Sequence, residues 1–476
     1  MYASELAPVR IRRTASSSHP HDAVGSAPPG QTVTRLDTMS SVVFLLTNVF
    51  PFAKGEEFLE NEIGHLAARF DRVVVVATQT SQDATQTRAV PDNCTVLRAG
   101  SPRPSGVAAA TTILRGLRHT ATRVAHSPLH PGKAAMEALF EGRAQDSLKH
   151  LVDQLDGLKL AAGDQVVIYS YWLHVTARVG MLLAEALRGR GIPVAKLVSR
   201  AHRYDLYPEE SPFGHLPARR LLLEAYDEVH PVSDHGTDLL RRSHPRYAPK
   251  ITTRRLGTRD PGAPVQCQQD PALVVSCSFV LPVKRVDRIP AILHLASEAG
   301  HDIGWTHFGS GDQVAAVKAT ADQVLPPDMV DLPGYVPNTE LPDRYRQLRP
   351  VAFVNVSESE GVPVSIMEAI ALGIPVVATD VGGVAEIVRG GVNGYLLPKE
   401  FTDLEAAAAL NSLVTAPAER YQDFCRAARQ RWESEFNEAI VYPAFAEELT
   451  RPALRSGRPL PNVGGQPLSG PAAPRP

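Results

Sequence analysis

Two series of short apolar runs, separated by helix-length stretches, constrain this chain's fold more than any other feature. The first series is Val42-Val-Phe-Leu-Leu46, Val73–Ala77, Val166–Tyr169, Ala195–Ser199 and Glu228–Val232, with Thr252–Leu256 as a candidate sixth run. Unbroken apolar runs suit strands buried on both faces. Glu57–Phe70 and Val175–Arg188 have helical spacing. The second series is Leu273–Cys277, Ile303–Phe308, Met329–Leu332, Ala352–Val356, Val376–Ala378 and Tyr395–Leu397. Alternating strands and helices imply parallel sheets with right-handed crossovers. At 476 residues the chain exceeds a single core. Two doubly wound α/β domains are therefore predicted, over 41–256 and 257–426, with a cleft where their sheets face each other. The join lies at Gly257–Asp270, where Asp-Pro-Gly-Ala-Pro breaks the periodicity. A final helical stretch, 427–450 with Trp432 and Phe436, is expected to cross back to brace the first domain.

Composition narrows the class. Charged residues make up 21% and hydrophobic residues 43%, as in a soluble globular protein, and a net charge of −2 gives no general attraction to nucleic acid. Cys94, Cys267, Cys277 and Cys425 are scattered without a CxxC pair, which argues against a disulfide framework or zinc site and for a reducing cytoplasm. No apolar run reaches the roughly 18 residues of a membrane span. Residues 1–40 and 451–476 read as disordered tails. No apolar core follows Arg10, Arg12 and Arg13, so a signal peptide is not expected, and Met39 is an alternative start. Between Asn93 and Met136 there is no acidic residue, while Arg98, Arg103, Arg115, Arg118, Arg123 and Lys133 alternate with Ile113, Leu114 and Leu117. This stretch is either a helical insertion with a solvated face or an element making peripheral contact with an anionic membrane.

The chemistry gathers at strand ends. After Ala352–Val356, the segment Ser357-Glu-Ser-Glu-Gly-Val-Pro-Val-Ser-Ile-Met-Glu-Ala369 turns at Gly361 and opens a helix that Gly373-Ile-Pro375 stops. Main-chain N–H groups at Val364 and Ser365 would carry the helix's positive end, which suits a diphosphate. Glu360 stands just before this anion site and can pair with sugar hydroxyls. Glu368, one turn inside, can pair with a ribose diol. A second strand, Val376–Ala378, leads to Gly382-Gly383, where backbone can approach the same ligand, and then to Glu386. Lys284 and Arg285 follow the strand Leu273–Cys277 and can neutralise charge on a departing diphosphate.

In the first half, Gly55 either lets a phosphate or sugar approach or simply marks a turn. His202, at a strand end, either contacts the sugar or is structural. Tyr171, Trp172 and His174 close another strand, as an acceptor-side wall or as packing. Phe308-Gly309-Ser-Gly311 lacks the third glycine of a dinucleotide fingerprint, and no GxxxxGK[ST], HExxH or DxD is present.

Taken together, Glu360–Glu368, Gly373–Glu386 and Asn393-Gly-Tyr395 resemble the retaining glycosyltransferases of family 4, within glycosyl transferases group 1. The similarity is strongest over 272–398. It is looser at Thr47–Glu62, Ser199–Tyr207 and Asp227–Asp234. The resemblance implies the GT-B fold, two facing Rossmann-like doubly wound domains with an interdomain cleft, and a nucleotide-sugar donor. Glu360 would touch the donor sugar, Glu368 the ribose and Lys284 the diphosphate, with His202 as the histidine of the first domain. The loop Gly334–Leu341 would pack near the base, and Gly309 would be the family's strand-end glycine. It further implies front-face displacement with retention, the leaving phosphate acting as base and no metal or cofactor taking part. One departure stands out. The family often has an arginine five residues before the lysine, where this chain has Phe279, so Arg285 is a candidate substitute.

Transfer from a nucleotide sugar to a glycan or polyprenyl-linked acceptor, in the cytoplasm or at the inner face of the membrane, is the reading these residues favour. A sugar-nucleotide epimerase or hydrolase on the same scaffold would need a further acid or base. A non-catalytic sugar-nucleotide-binding protein would have no need of both Glu360 and Lys284.

Overall fold

A computed structural model describes residues 40–100, 104–125 and 130–452. The sequence-predicted tails fall almost wholly outside them. The first sheet contains β1 (Ser41–Thr47), β2 (Arg72–Ala77), β3 (Cys94–Arg98), β4 (Gln165–Ser170), β5 (Val194–Ala201) and β6 (Glu228–Pro231), in the order β3-β2-β1-β4-β5-β6. The second contains β7 (Ala272–Cys277), β8 (Ile303–Phe308), β9 (Val330–Gly334), β10 (Ala352–Asn355), β11 (Val376–Thr379) and β12 (Gly394–Leu397), in the order β12-β11-β10-β7-β8-β9. Every strand pairing is parallel.

Read from its other edge, the second sheet repeats the winding of the first. Each starts at an inner strand, winds outward over two strands, then resumes on the opposite side. The connections thus diverge between β1 and β4, and between β7 and β10, leaving a crevice beyond the carboxyl ends of those strands. This matches the predicted two-domain GT-B architecture, and both sheets lie in one compact unit.

Burial follows the apolar runs. Val42–Leu46 are fully buried, with Val43 paired to Val73 on one side and Val167 on the other. Thr252–Leu256 is not a strand; a single bridge joins Val229 to the preceding Ile251. The strand that periodicity missed is β3, Cys-Thr-Val-Leu-Arg, whose mixed polarity reflects its place at a sheet edge.

The expected crossing stretch is two helices, Ala418–Glu435 and Glu438–Thr450, broken at Phe436 and Asn437. Trp432 and Phe436 remain in the second domain's core. Only the last helix crosses, and its Phe445, Ala446 and Leu449 pack with Leu59 and Ile63 of the helix Phe58–Arg69. Lys196 Nζ donates to the Glu448 carbonyl at 3.1 Å, and Arg254 pairs with the Glu448 carboxylate.

The outgoing and returning connections lie side by side. Thr258 N–H donates to the Phe436 carbonyl at 2.8 Å, and Glu438 N–H to the Thr258 carbonyl at 3.0 Å. Trp432 Nε1 donates to Thr258 Oγ1 at 2.7 Å, and Tyr442 Oη to the Gly257 carbonyl at 3.0 Å. A Cβ on Gly257 would lie 2.5 Å from Val441 Cγ2 and 2.6 Å from Glu438 Cα, so only glycine fits this crossing. Gly257→Val should lower the unfolding free energy by about 1–3 kcal/mol. Urea denaturation followed by circular dichroism measures this, and an unchanged midpoint would contradict the crossing geometry.

Candidate active site

The β7–β10 crevice is built first from loop contacts. Ser278 N–H donates to the Phe308 carbonyl at 3.1 Å, laying the loop after β7 against the end of β8. A Cβ on Gly309 would fall 1.8 Å from the Ser278 carbonyl oxygen, so a side chain there would push this loop away. The short turn Pro282–Lys284 then aims Lys284 Nζ at Glu360 Oε1, 2.7 Å away. The same oxygen accepts from Ser357 Oγ at 2.6 Å and Asn355 Nδ2 at 3.3 Å. Glu360 is only 7% exposed, and these three donors fix the position of its carboxylate oxygen.

Arg285 takes a different place from its neighbour. Its guanidinium donates to the Val356 carbonyl at 2.8 Å and the Ser357 carbonyl at 3.1 Å, and lies over the Phe401 ring. It fixes the loop that carries Ser357.

The helix Val364–Ala371 starts after Pro363 with no side-chain cap and no acidic residue in its first turn. Its positive end at Val364 and Ser365 is therefore not neutralised locally. Gly382, at φ +57°, comes so close beneath this loop that a Cβ would lie 1.9 Å from the Glu360 carbonyl oxygen. Gly383 N–H donates to the Gly361 carbonyl at 2.7 Å. The two glycine turns thus form one floor.

Glu368 sits one turn along the helix, and burial raises its carboxyl to about 7. Asn338 Nδ2, from the loop following β9, reaches Glu368 Oε1 at 3.4 Å. Tyr335 in the same loop is exposed, and Lys54 of the first domain stands 4.9 Å over its ring.

The first sheet's strand ends are held by two buried carboxylates. Glu56 accepts from the backbone N–H groups of Asn48, Val49 and Phe50 at 2.7–2.8 Å and from Trp172 Nε1 at 2.5 Å. It occupies the donor groups that the loop after β1 would otherwise offer a ligand. Gly55, at φ +121°, has no neighbour within 4 Å of a built Cβ and donates to Glu57 Oε1 at 2.8 Å. Asp205 accepts from His202 N–H at 2.5 Å and Leu173 N–H at 2.6 Å, tying the ends of β5 and β4 together. Burial pushes its carboxyl up to about 7, against the pull of Arg219.

His202 lies between Tyr171 and Trp172, with ring centroids at 4.6 and 4.5 Å. Burial and then the Arg200 charge lower its pKa to about 3, so the imidazole is neutral at physiological pH. Its buried Nε2 lacks a hydrogen-bond partner. Trp172 also packs on Tyr204 at 4.7 Å, and His174 meets Tyr204 edge-on at 5.7 Å. Trp172, His174, His202 and Tyr204 thus form one aromatic group.

The two domains meet across this region. Arg203 Nη2 donates to Ser359 Oγ at 3.0 Å. The Glu386 carboxylate accepts from Asp234 N–H at 2.8 Å and His235 N–H at 2.9 Å, capping a helix of the opposite domain. The residue-type patterns carry no sign of Glu56, Arg203, Asp205 or Ser357, because their roles depend on partners distant in sequence or on backbone donors. Among the described residues one trio, Glu228, His230 and Glu448, has metal-ligand spacing. Glu228 opens β6, away from the strands' carboxyl ends, and Lys196 and Arg254 already pair with the two carboxylates.

Comparison with known proteins agrees with this geometry. Residues 264–431 match the family described as Glycosyl transferases group 1. WcaL of Escherichia coli K12, named for colanic acid biosynthesis as a glycosyltransferase, is 27% identical over 56% of this chain and 67% of its own length. The amylovoran biosynthesis glycosyltransferase AmsK of Erwinia amylovora is 34% identical, over 33% of this chain and 39% of its own. The crystal structure of Anabaena Alr3699/HepE in complex with UDP-glucose shares the fold, with a TM-score of 0.58 and 17% identity over 86% of this chain and 99% of that one.

The environment of Glu368 has a measurable consequence. Its carboxyl should titrate near pH 7, as resolved by carbon NMR with Glu368→Gln as the assignment control. A midpoint near the ordinary glutamate value would contradict its burial.

Proposed function

We propose that this chain, whose residues 264–431 match the group 1 glycosyltransferases, moves a sugar, with retention and without a metal, from a nucleoside diphosphate donor to a glycan or polyprenyl-linked acceptor in polysaccharide synthesis. The carrying observation is the convergence of Lys284, Glu360 and an uncapped helix N-terminus at the β7–β10 switch point. Departure of the diphosphate builds negative charge, which Lys284 and the N–H groups at Val364 and Ser365 offset. Glu360 holds the sugar's hydroxyls and fixes the face open to attack. Glu368 receives the ribose diol, and its ionised form is the better acceptor, so nucleotide affinity should rise as pH passes through about 7. His202, neutral and flanked by aromatic rings, serves the sugar or acceptor as a hydrogen-bonding group rather than a cation. No residue of the site is assigned as the glycosylated nucleophile; the leaving phosphate takes the acceptor's proton.

Lys284→Ala should cut turnover roughly 100-fold or more while weakening donor binding less. The assay supplies candidate nucleotide sugars and a polyprenyl-diphosphate glycan, with and without EDTA, and reads the product's anomeric configuration by NMR. Unchanged turnover in Lys284→Ala, loss of activity on chelation or an inverted product would each overturn the corresponding part of the proposal.

The acceptor is placed at an anionic membrane by a helical hairpin on the first domain. Among the described residues no helix is long and apolar enough to cross a membrane. Helix Gly106–Ala125 lies on helix Pro131–Leu155 through small groups: a Cβ on Gly116 would lie 1.8 Å from the Ala138 carbonyl oxygen, and one on Gly142 2.2 Å from that of Thr112. Thr112, Gly116 and Thr120 form the packed side. The opposite side presents Val107 and Leu114, 81% and 64% exposed, with Leu117 and exposed Arg118, and the helix has no acidic residue. Apolar groups beside the exposed Arg118, with Arg115 paired to Asp146, suit an anionic bilayer surface. The protein should float with phosphatidylglycerol vesicles at low salt and not with phosphatidylcholine vesicles. A Leu114→Glu/Leu117→Glu variant should remain unbound, and equal flotation of both proteins would remove this surface from the proposal.

A further inference from the structure

The donor site as described is short of positive charge. Phe279, at the position where an arginine would reach the diphosphate, is 65% exposed and contributes no cation. Arg285, the sequence-based substitute, donates to the carbonyls of Val356, Ser357 and Lys399. Lys284 remains, already paired with Glu360.

A second cation reaches the same loop from the other domain. Arg203 directly follows His202 and opens the turn Arg203–Leu206, whose start Asp205 holds through the His202 N–H. Its stem lies over Gly361: a Cβ there would stand 3.2 Å from Arg203 Cβ and 3.9 Å from its Cγ and Cδ. Its Nη2 donates to Ser359 Oγ at 3.0 Å and to Glu210 Oε1 at 2.6 Å. Its Nε–H is buried without a partner. A buried donor of this kind is costly unless a ligand satisfies it. Lys284 and Arg203 thus converge from opposite domains on Ser359–Gly361, the segment leading to the uncapped helix.

We infer that Arg203 is the second cation of the diphosphate clamp, supplied across the cleft, with Glu210 neutralising it until donor oxygens take over. This rests on the donor-site reading above. A planar guanidinium can grip two phosphate oxygens at once, which a lysine cannot. Because the cation comes from the facing domain, the clamp is complete only when the domains are together. Donor charge therefore favours the arrangement that also excludes water.

The test is isothermal titration of the full chain with UDP and UMP, and with GDP and GMP. Arg203→Gln should weaken the diphosphate roughly 10- to 100-fold while leaving the monophosphate of the same base nearly unchanged. Arg203→Lys should recover part of the loss. Ser359→Ala, which removes the interdomain hydrogen bond but keeps the cation, should preserve the parent's preference for diphosphate over monophosphate. Equal weakening of both ligands in Arg203→Gln, or the same loss in Ser359→Ala, would show a tether rather than a clamp and overturn the inference alone. A parent protein that binds none of the four nucleotides would overturn the donor-site reading as well.

Discussion

A parallel sheet wound in both directions from an inner strand leaves one place where consecutive connections part, and this molecule depends on having two such places opposite one another. Neither crevice is covered by its own crossovers. In the second sheet the uncovered ends of β7 and β10 carry Lys284 and Glu360. In the first, Trp172 follows β4 at the opening, and His202, after the adjacent β5, packs against it. Charge and hydrogen bonding are thus concentrated where backbone architecture leaves room for a ligand.

Several charged groups near these openings serve the chain itself. Glu56 draws three successive backbone N–H groups inward, Asp205 joins two strand ends, and Arg285 holds the carbonyls behind Ser357. Each leaves a neighbouring group defined in position. Trp172 is oriented by Glu56, and His202 by Asp205. The ligand-facing groups can be few because these buried ones remove the local freedom that would otherwise blur them.

Much of this was legible in the sequence because burial on both faces writes itself as unbroken apolar runs. The strand-turn-helix from Ala352 to Ala371, with Glu360 in its turn and Glu368 in its helix, could be placed before any coordinates. Edge strand β3 could not, since it is only partly covered and its five residues mix polar with apolar. The break at Phe436–Asn437 was hidden because apolar spacing continues through it while the residues change the domain they pack against. Arg285 and Arg203 show the deeper limit. Both are arginines beside strand ends, and only the three-dimensional path of the chain decides that one meets carbonyls and the other the Ser359 hydroxyl.

The pairing of Gly257–Thr258 with Phe436–Glu438 bears on how this molecule can move. Two segments laced by main-chain hydrogen bonds behave as a narrow ribbon, which flexes across its width far more readily than it shears or unwinds. Such a ribbon favours a swing of one domain against the other over sliding between them. Each return would bring the same guanidinium to the same serine, so registry at the mouth is inherited from the strap at the back.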